Sequence, residues 1–204
     1  MINPQLQSYI EEEILPRYEH FDKAHRLDHI NVVIAQSLKL SEYYDVNPDV
    51  VYTAAAYHDT GMVDGRELHH LASGRIIRND SRLREWLTPE EIETAAQAAE
   101  DHRASSKNEP RSIYGRILAE ADRQIDPYTI IIRTLQYGQE HYPKLDKKEQ
   151  IDRAIDHLYE KYGRKGYLRL WIPESDNAVR LEQLRRLLDN PEALREIVSG
   201  KLNS

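Results

Sequence analysis

Apolar residues recur through most of this chain at the three- and four-residue spacing of an α-helix, and helix-capping residues frame the repeats. Asn47 and Pro48 supply an N-cap and a first-turn proline, and the run Thr88–Glu91 has the form of a capping box. Glycine and proline are scarce, with 8 and 9 residues among 204, as in proteins built from long helices. The pattern predicts an all-α protein and argues against a turn-rich β-fold.

The predicted helices follow one another along the chain, and neither an internal repeat nor a low-complexity linker interrupts them. They cover residues 4–18, 28–44, 48–58, 67–79, 88–102, 112–125, 127–138, 146–163 and 176–188, with a last turn or two after Asn190. Residues 167–171 also fit a short strand, but five residues are too few to change the fold class. We therefore expect one helical domain.

The residue content excludes several classes of protein. The chain has no cysteine, which excludes disulfides, thiolate nucleophiles, cysteine zinc sites and iron–sulfur clusters. Its 28 basic and 35 acidic residues give a net charge of −7, so a fold-wide basic surface for duplex nucleic acid is absent. No apolar run approaches a membrane span, and the first ten residues lack a signal-peptide pattern. We expect a cytoplasmic protein that uses neither a membrane nor a duplex as its partner.

A histidine and an aspartate stand where the apolar face of the third predicted helix ends. His58 falls near the middle of the stripe formed by Val50, Val51 and Ala54, and Asp59 follows it directly. Such a pair needs partners, because an unpaired polar group is costly in apolar surroundings. A single histidine in this position is more often a core residue bonded to a backbone carbonyl than a ligand.

Three other residues repeat the pattern. His102 lies on the apolar side of its helix, Asp122 flanks an apolar stripe, and His29 opens its helix beside the buried face. Alone, Asp122 is as well explained by a surface ion pair, and His29 by a polar helix start. Taken together, these imidazole and carboxylate groups form the ligand set of Mn, Fe, Co, Ni or Zn. They predict a divalent metal site at one interior point.

At these residues the sequence resembles the HD-domain superfamily of metal-dependent phosphohydrolases. Its motif H…HD…D is matched by His29, by His58-Asp59 and by Asp122, and the flanking residues match as well. The resemblance implies an all-α bundle in which these four residues bind a divalent metal. It also implies an HD-type domain within residues 1–163, with its motif-bearing core at 22–137 and a C-terminal helical extension at 164–204 packed on it.

Some members of the superfamily bind a second metal through two further histidines. By resemblance these are His70, in an H-x-x-x-G motif, and His102, with Asp59 bridging the two ions. The helical wheel instead places His69 nearer the apolar stripe of the same helix, and we favour His70 because of the motif. The alternative is a single metal, with His70 and His102 acting on the substrate phosphate.

The sequence departs from the superfamily pattern at two points. Met62 stands where subfamilies carry a lysine or a catalytic glutamate, and no GYP signature follows His102, which disfavours a cyclic-di-GMP phosphodiesterase. His25, in the loop before the helix of His29, is expected to line the cleft rather than bind the metal. These departures leave the substrate open.

A metal held by histidine and aspartate can lower the pKa of its bound water and polarise a phosphoryl oxygen. Asp59 could also orient the attacking water, and Arg103 is our first choice for binding the substrate phosphate, because arginine matches phosphate oxygens with two N–H groups. Further basic residues border the same loops: Arg75, Arg78, Lys107 and Arg111. Such a local basic rim on an acidic protein favours a small anionic substrate.

Three functions fit these observations. The first is a phosphohydrolase that cleaves a phosphate ester or anhydride of a small substrate, a nucleotide being preferred. The second is a di-iron oxygenase, which requires both additional histidines as ligands. The third is a non-catalytic binding or regulatory module with a structural metal. The amphipathic stretch Val179–Leu188 is either a homodimer contact or, as we favour, part of the bundle.

Overall fold

The computed structural model describes residues 1–20, 27–103 and 108–202, which form ten α-helices and no β-strand. This confirms the all-α prediction, and residues 167–171 are not a strand. His25, Lys107 and the start of the predicted core at residue 22 lie outside the described residues. The helices are α1 (Pro4–Tyr9), α2 (Leu27–Ser41), α3 (Pro48–Tyr57), α4 (His69–Asn79), α5 (Pro89–Asp101), α6 (Ile113–Asp122), α7 (Pro127–His141), α8 (Lys147–Tyr162), α9 (Asp176–Leu188) and α10 (Pro191–Leu202).

Helix starts follow the capping signals of the sequence. The Asn47 side chain accepts the N–H of Asp49 at the start of α3, and Thr88 and Glu91 form the complete capping box of α5. The first predicted helix, over residues 4–18, is not one continuous α-helix. After α1 the chain forms a π-helical turn, Ile10–Ile14, and then a 3₁₀ segment, Leu15–His20, because Pro16 has no N–H for regular α-helical bonding.

The chain divides into two compact units. Unit 1 comprises residues 1–123 and 171–174, and unit 2 comprises residues 124–170 and 175–204. The boundary predicted after residue 163 falls inside unit 2, so the division into a domain and a C-terminal extension stays a prediction. Within the residues described, the structure has no helix both long and apolar enough to cross a membrane.

Unit 1 is organised around α5, which contacts α3, α4 and α6. α3 and α5 approach closely because their facing positions are small: the buried alanines of these two helices are Ala54, Ala55, Ala56, Ala95, Ala96, Ala98 and Ala99. Gly61, just after α3, lies so close to α4 that a Cβ atom there would be 2.1 Å from the carbonyl oxygen of His69. This packing brings the C-terminal ends of α3 and α5 beside the N-terminal end of α4.

Candidate metal centre

The predicted ligands occupy the ends of helices rather than their middles. His58 and His102 directly follow α3 and α5, and Asp122 is the last residue of α6. His69 is the first residue of α4, and His29 lies in the first turn of α2. Because these ends converge in unit 1, residues that are far apart in the sequence meet at one place.

A first group of side chains that could hold a metal ion consists of His29, His58 and Asp59, whose candidate ligand atoms all lie within 4.8 Å of one another. Asp122 adjoins this group, with its Oδ1 3.1 Å from Nε2 of His29 and 3.8 Å from Nε2 of His58. The structure thus brings together the four residues that match the H…HD…D motif.

A second group of three shares Asp59 with the first group and adds His69 and His102. The Oδ1 atom of Asp59 lies 3.2 Å from Nε2 of His69 and 3.5 Å from Nε2 of His102. Its other oxygen, Oδ2, is 3.3 Å from Nε2 of His58. The carboxylate of Asp59 therefore faces one group with each oxygen, which is the arrangement needed to bridge two ions.

Three of the histidines are oriented by the same local contact. The Nδ1 atoms of His58, His69 and His102 lie 2.6–2.7 Å from the backbone carbonyl oxygen three residues earlier in the chain. Since a carbonyl only accepts, each Nδ1 carries the proton and each Nε2 presents a lone pair when the imidazole is neutral. Metal-binding histidines are held in this way in known sites, where the outer hydrogen bond fixes the tautomer and the ring orientation.

The three Nε2 atoms converge on one another and on the carboxylate of Asp59. Nε2 of His69 and Nε2 of His102 are 3.3 Å apart, and the fully buried Nε2 of His58 has no hydrogen-bond partner. Lone pairs that face each other and a carboxylate repel unless a cation lies between them. These nitrogen and oxygen donors therefore fit a divalent transition metal, and the residues present could hold one or two ions.

The carboxylates of Asp59 and Asp122 make the site favourable for positively charged groups. Burial alone lowers the pKa of His58, but the carboxylates of Asp59 and Asp122 outweigh it and raise the pKa to about 9. Burial alone raises the pKa of Asp59, yet His58, His102 and His69 hold that pKa far below its usual range. The pKa of Asp122 is also lowered despite burial, through its hydrogen bond with His29 and the nearby His58. Both carboxylates are therefore ionised at neutral pH.

The site is closed on one side and open on the other. The side chains of His58 and Asp59 are 0% and 4% exposed, whereas those of His29 and Asp122 are 20% and 23% exposed. Water and a ligand can therefore approach from the side of His29 and Asp122.

The two neighbouring histidines of α4, His69 and His70, differ in their positions relative to Asp59. His69 is buried and joins the group of Asp59 and His102, whereas His70 is half-buried and belongs to neither group. The geometry therefore favours His69, the residue that the helical wheel placed nearer the apolar stripe, and the assignment of a metal ligand on α4 stays a prediction. The physical reason is the rotation of α4, whose buried face runs from His69 through Ala72 and Ser73.

His70 nevertheless lies close to the site. Its ring centre is 5.7 Å from that of His69, and its Nδ1 is buried without a hydrogen-bond partner. Burial and the positive charge of Arg103 lower the pKa of His70 to about 4, so its imidazole is neutral at pH 7. The Arg103 side chain donates to the carbonyl oxygen of Glu67, just before α4, at 2.7 Å.

The other basic residues predicted for the rim are bound to carboxylates. Arg75 pairs with Asp64, Arg78 pairs with Glu93 and Glu100, and Arg111 pairs with Asp101 and Glu100, while Lys107 lies outside the described residues. Glu93 and Glu100 are not part of any sequence motif, so nothing in the sequence indicated these pairs.

The comparisons with known proteins agree with this geometry. Residues 26–124 match the family model of the HD domain, a segment that begins just before α2 and ends just after α6. No curated protein and no solved structure matches the chain significantly. The matched segment contains all the residues of the two groups, and HD domains are a family of metal-dependent phosphohydrolases. Residues 26–124 therefore form an HD domain, and this segment of the chain belongs to the HD-domain superfamily.

Proposed function

We propose that this protein is a metal-dependent phosphohydrolase that cleaves a phosphate ester or anhydride of a small substrate, with a nucleotide as the preferred class. One observation carries the proposal: three imidazoles with protonated Nδ1 atoms direct their Nε2 atoms at the two oxygens of Asp59. A structural core has no need for this arrangement, which gathers several imidazole nitrogens around one buried carboxylate that they share.

His29, His58, Asp59 and Asp122 would hold one ion. A second ion would be held by Asp59 together with His69 and His102, a revision of the pair His70 and His102. The donor set suits Mn, Fe, Co, Ni or Zn. When bound, such ions supply Lewis acidity and an activated water for attack on phosphorus.

The protein groups position the reactants. Asp59, ionised and almost fully buried, would orient the attacking water by accepting its hydrogen bond. His58 and His102 stay in one tautomer because the backbone carbonyls of Ala55 and Ala99 accept their Nδ1–H groups. Phosphate would enter from the exposed side of His29 and Asp122, where the site is open to water.

We assign substrate phosphate binding to His70 and Arg103. The pKa of His70 is about 4, so its imidazole is neutral at pH 7 and can donate one N–H. The hydrogen bond described for the Arg103 guanidinium is to the backbone carbonyl of Glu67, beside α4, and a guanidinium also binds phosphate oxygens well. In contrast, Arg78 is fully engaged by carboxylates. The net charge of −7 favours a small anionic substrate over a polynucleotide, which would be repelled over a large surface.

A second candidate, a di-iron oxygenase, is favoured by one specific observation. That chemistry requires two complete ligand groups, and the group of Asp59, His69 and His102 completes the second. An O₂-consumption assay with the Fe²⁺-loaded protein and a panel of small anionic substrates separates it from hydrolysis, in which no O₂ is consumed.

The test begins with elemental analysis of protein purified without chelator, beside His58→Ala. We expect one or two equivalents of a transition metal in the native protein and a loss in the variant. The loaded protein is then assayed for phosphate release from nucleoside mono- and triphosphates and from simple phosphate esters, with and without chelator. No metal in either protein after soaking with Mn²⁺ would contradict the proposal.

Asp59→Ala separates a catalytic centre from a structural metal in a binding module. A catalytic centre loses activity and largely keeps the fold, whereas a structural metal site loses the fold. Circular dichroism and thermal unfolding of the variant distinguish the two outcomes.

A further inference from the structure

We infer that Tyr18 is a positioning residue of the metal centre: its phenol holds the backbone of Asp59 so that the two carboxylate oxygens face the two ligand groups. This inference rests on the proposed function. Tyr18 lies in the 3₁₀ segment Leu15–His20, outside the segment that matches the HD domain, and its side chain is fully buried.

Two hydrogen bonds of the Tyr18 phenol lie at the point where the chain leaves α3. Its O–H donates to the carbonyl oxygen of Ala56 at 2.8 Å, and its oxygen accepts the N–H of Asp59 at 3.3 Å. The end of a helix leaves carbonyl groups without partners inside the helix. Tyr18 satisfies such a carbonyl and an amide of the following turn with one oxygen atom, in a place without access to water.

The Asp59 backbone lies just beyond the last residues of α3 and no longer has helical dihedral angles. Its φ and ψ angles are −109° and 4°, in the sparsely populated bridge region. On the other side of the same turn, the N–H of Gly61 donates to Oγ of Ser73 at 2.9 Å. Asp59 is therefore held between the Tyr18 phenol and α4.

The position of Asp59 matters more than that of any other ligand because both groups share it. Its Oδ1 lies 3.2 Å from Nε2 of His69 and its Oδ2 lies 3.3 Å from Nε2 of His58. A rotation of the Asp59 backbone moves both oxygens together. Loss of the Tyr18 hydroxyl should therefore weaken both groups together, which a ligand belonging to one group cannot do.

Tyr57 provides a matched control. It is also a fully buried tyrosine, and its hydroxyl donates to Oδ2 of Asp80 at 2.6 Å, not to the backbone of a ligand. Tyr57→Phe and Tyr18→Phe each delete one buried hydroxyl that makes a hydrogen bond, so both variants should lose thermal stability. Only Tyr18→Phe should alter metal binding.

The experiment titrates the full-length, metal-free native protein and both variants with Mn²⁺, by calorimetry or chelator competition, and records thermal unfolding separately. We expect Tyr18→Phe to weaken the affinity for Mn²⁺ about 10- to 100-fold at every binding step, the range for groups that orient metal ligands. Tyr57→Phe should stay within about twofold of the native protein. An affinity of Tyr18→Phe within twofold of native, or an equal loss in Tyr57→Phe, overturns the inference.

Two further outcomes are a Tyr18→Phe variant that does not fold and a native protein that binds no metal. If Tyr18→Phe does not fold, 3,5-difluorotyrosine at position 18 keeps the ring and the hydroxyl but makes the oxygen a poorer acceptor for the Asp59 N–H. It should weaken Mn²⁺ binding, and unchanged binding overturns the inference. A native protein that binds no divalent metal overturns the proposed function and this inference together, whereas native Mn²⁺ binding that is insensitive to Tyr18 overturns the inference alone.

Discussion

The two compact units bury polar side chains in different ways. In unit 2 the buried Gln150 donates to the carbonyl oxygens of Gly138 and Tyr142, and Oδ1 of the buried Asn177 accepts the N–H of Ile125. In unit 1 the buried His58 and His102 bond a backbone carbonyl with one nitrogen and direct the other at Asp59. In the first arrangement the side chains satisfy backbone groups, although the buried Oε1 of Gln150 has no hydrogen-bond partner. In the second arrangement imidazole nitrogens gather around a carboxylate, which favours a bound cation.

The apolar cores differ in the same sense. The core of unit 2 consists mainly of isoleucine and leucine, whereas α3 and α5 in unit 1 face each other through alanines. Large side chains fill space between helices, and small ones let helices approach. Close approach of the helices allows side chains at their ends to reach a common point. Unit 1 therefore has small apolar side chains between α3 and α5, where unit 2 has large ones. This contrast teaches that burial alone does not mark a functional polar residue.

Replacing the shared carboxylate tests the contrast most severely. Asp59→Asn keeps the shape of the side chain but removes its charge and one acceptor, so we expect loss of the bound metal. Phosphohydrolase activity should fall at least about 10³-fold, because a metal contributes several kcal/mol of transition-state stabilisation. Elemental analysis and phosphate release measure both effects. Native metal content in this variant would show that the buried polar side chains of unit 1 do not differ from those of unit 2 in binding a metal.

Protons compete with metal for the same nitrogens, which gives the next largest effect. Below its pKa of about 9, His58 is protonated and must lose its proton before it can bind a metal. Affinity should therefore rise about tenfold per pH unit, or about 100-fold from pH 7 to pH 9, and level off above that. Titration with buffered Zn²⁺ across this range checks the slope, and a flat profile contradicts it.

The same pKa predicts the stability of the metal-free protein. Since the pKa of His58 is raised from 6.5 to about 9 by folding, its protonated form stabilises the fold fully below pH 6.5. That contribution is lost as the pH rises through 9. Chemical unfolding at pH 6, 8 and 10 should show a decline in the metal-free protein and a smaller one after metal loading.

His69 and His70 are neighbours on α4 and allow a metal-group residue to be compared with one outside both groups. His69→Gln should lower the metal content by one equivalent, because His69 belongs to the second group. His70→Gln should keep the metal content and raise KM about tenfold, the cost of one hydrogen bond to a charged phosphate. Elemental analysis beside steady-state kinetics separates the two variants. The reverse pattern would restore His70 as the ligand.

The smallest effect is expected from the buried amide of unit 2. Gln150→Met removes two side-chain hydrogen bonds, but the carbonyls of Gly138 and Tyr142 keep the backbone N–H groups of Tyr142 and Leu145. We expect a loss of about 1 kcal/mol in the free energy of unfolding and an unchanged metal content. A loss of metal in this variant would show that the polar groups of the two units are not separate in function.

Several features were predictable because they are local. Capping residues determine where α3 and α5 begin, since a cap acts within one turn of the chain. The polar residues His58 and His102 were visible because they interrupt apolar stripes. Their chemistry, imidazole beside carboxylate, was sufficient to predict a transition-metal site.

Other features depend on contacts between distant segments. Glu93 and Glu100 engage Arg78, and no pattern in the sequence links them with it. Tyr18 reaches the carbonyl of Ala56 from a segment 38 residues earlier, and a single buried tyrosine gives no sequence signal. Such partners are chosen by the packing of helices, which local periodicity does not specify.

The sequence by itself determined the helical class, most helix starts and the four residues of the H…HD…D motif that meet in unit 1. Only the tertiary structure decided that His69 and not His70 joins Asp59. The rotation of α4 decides which histidine faces Asp59, and the chain at Gly61 packs directly against the His69 backbone. Two residues adjacent on a helix differ by about 100° in direction, so a small rotation exchanges a ligand for a neighbour.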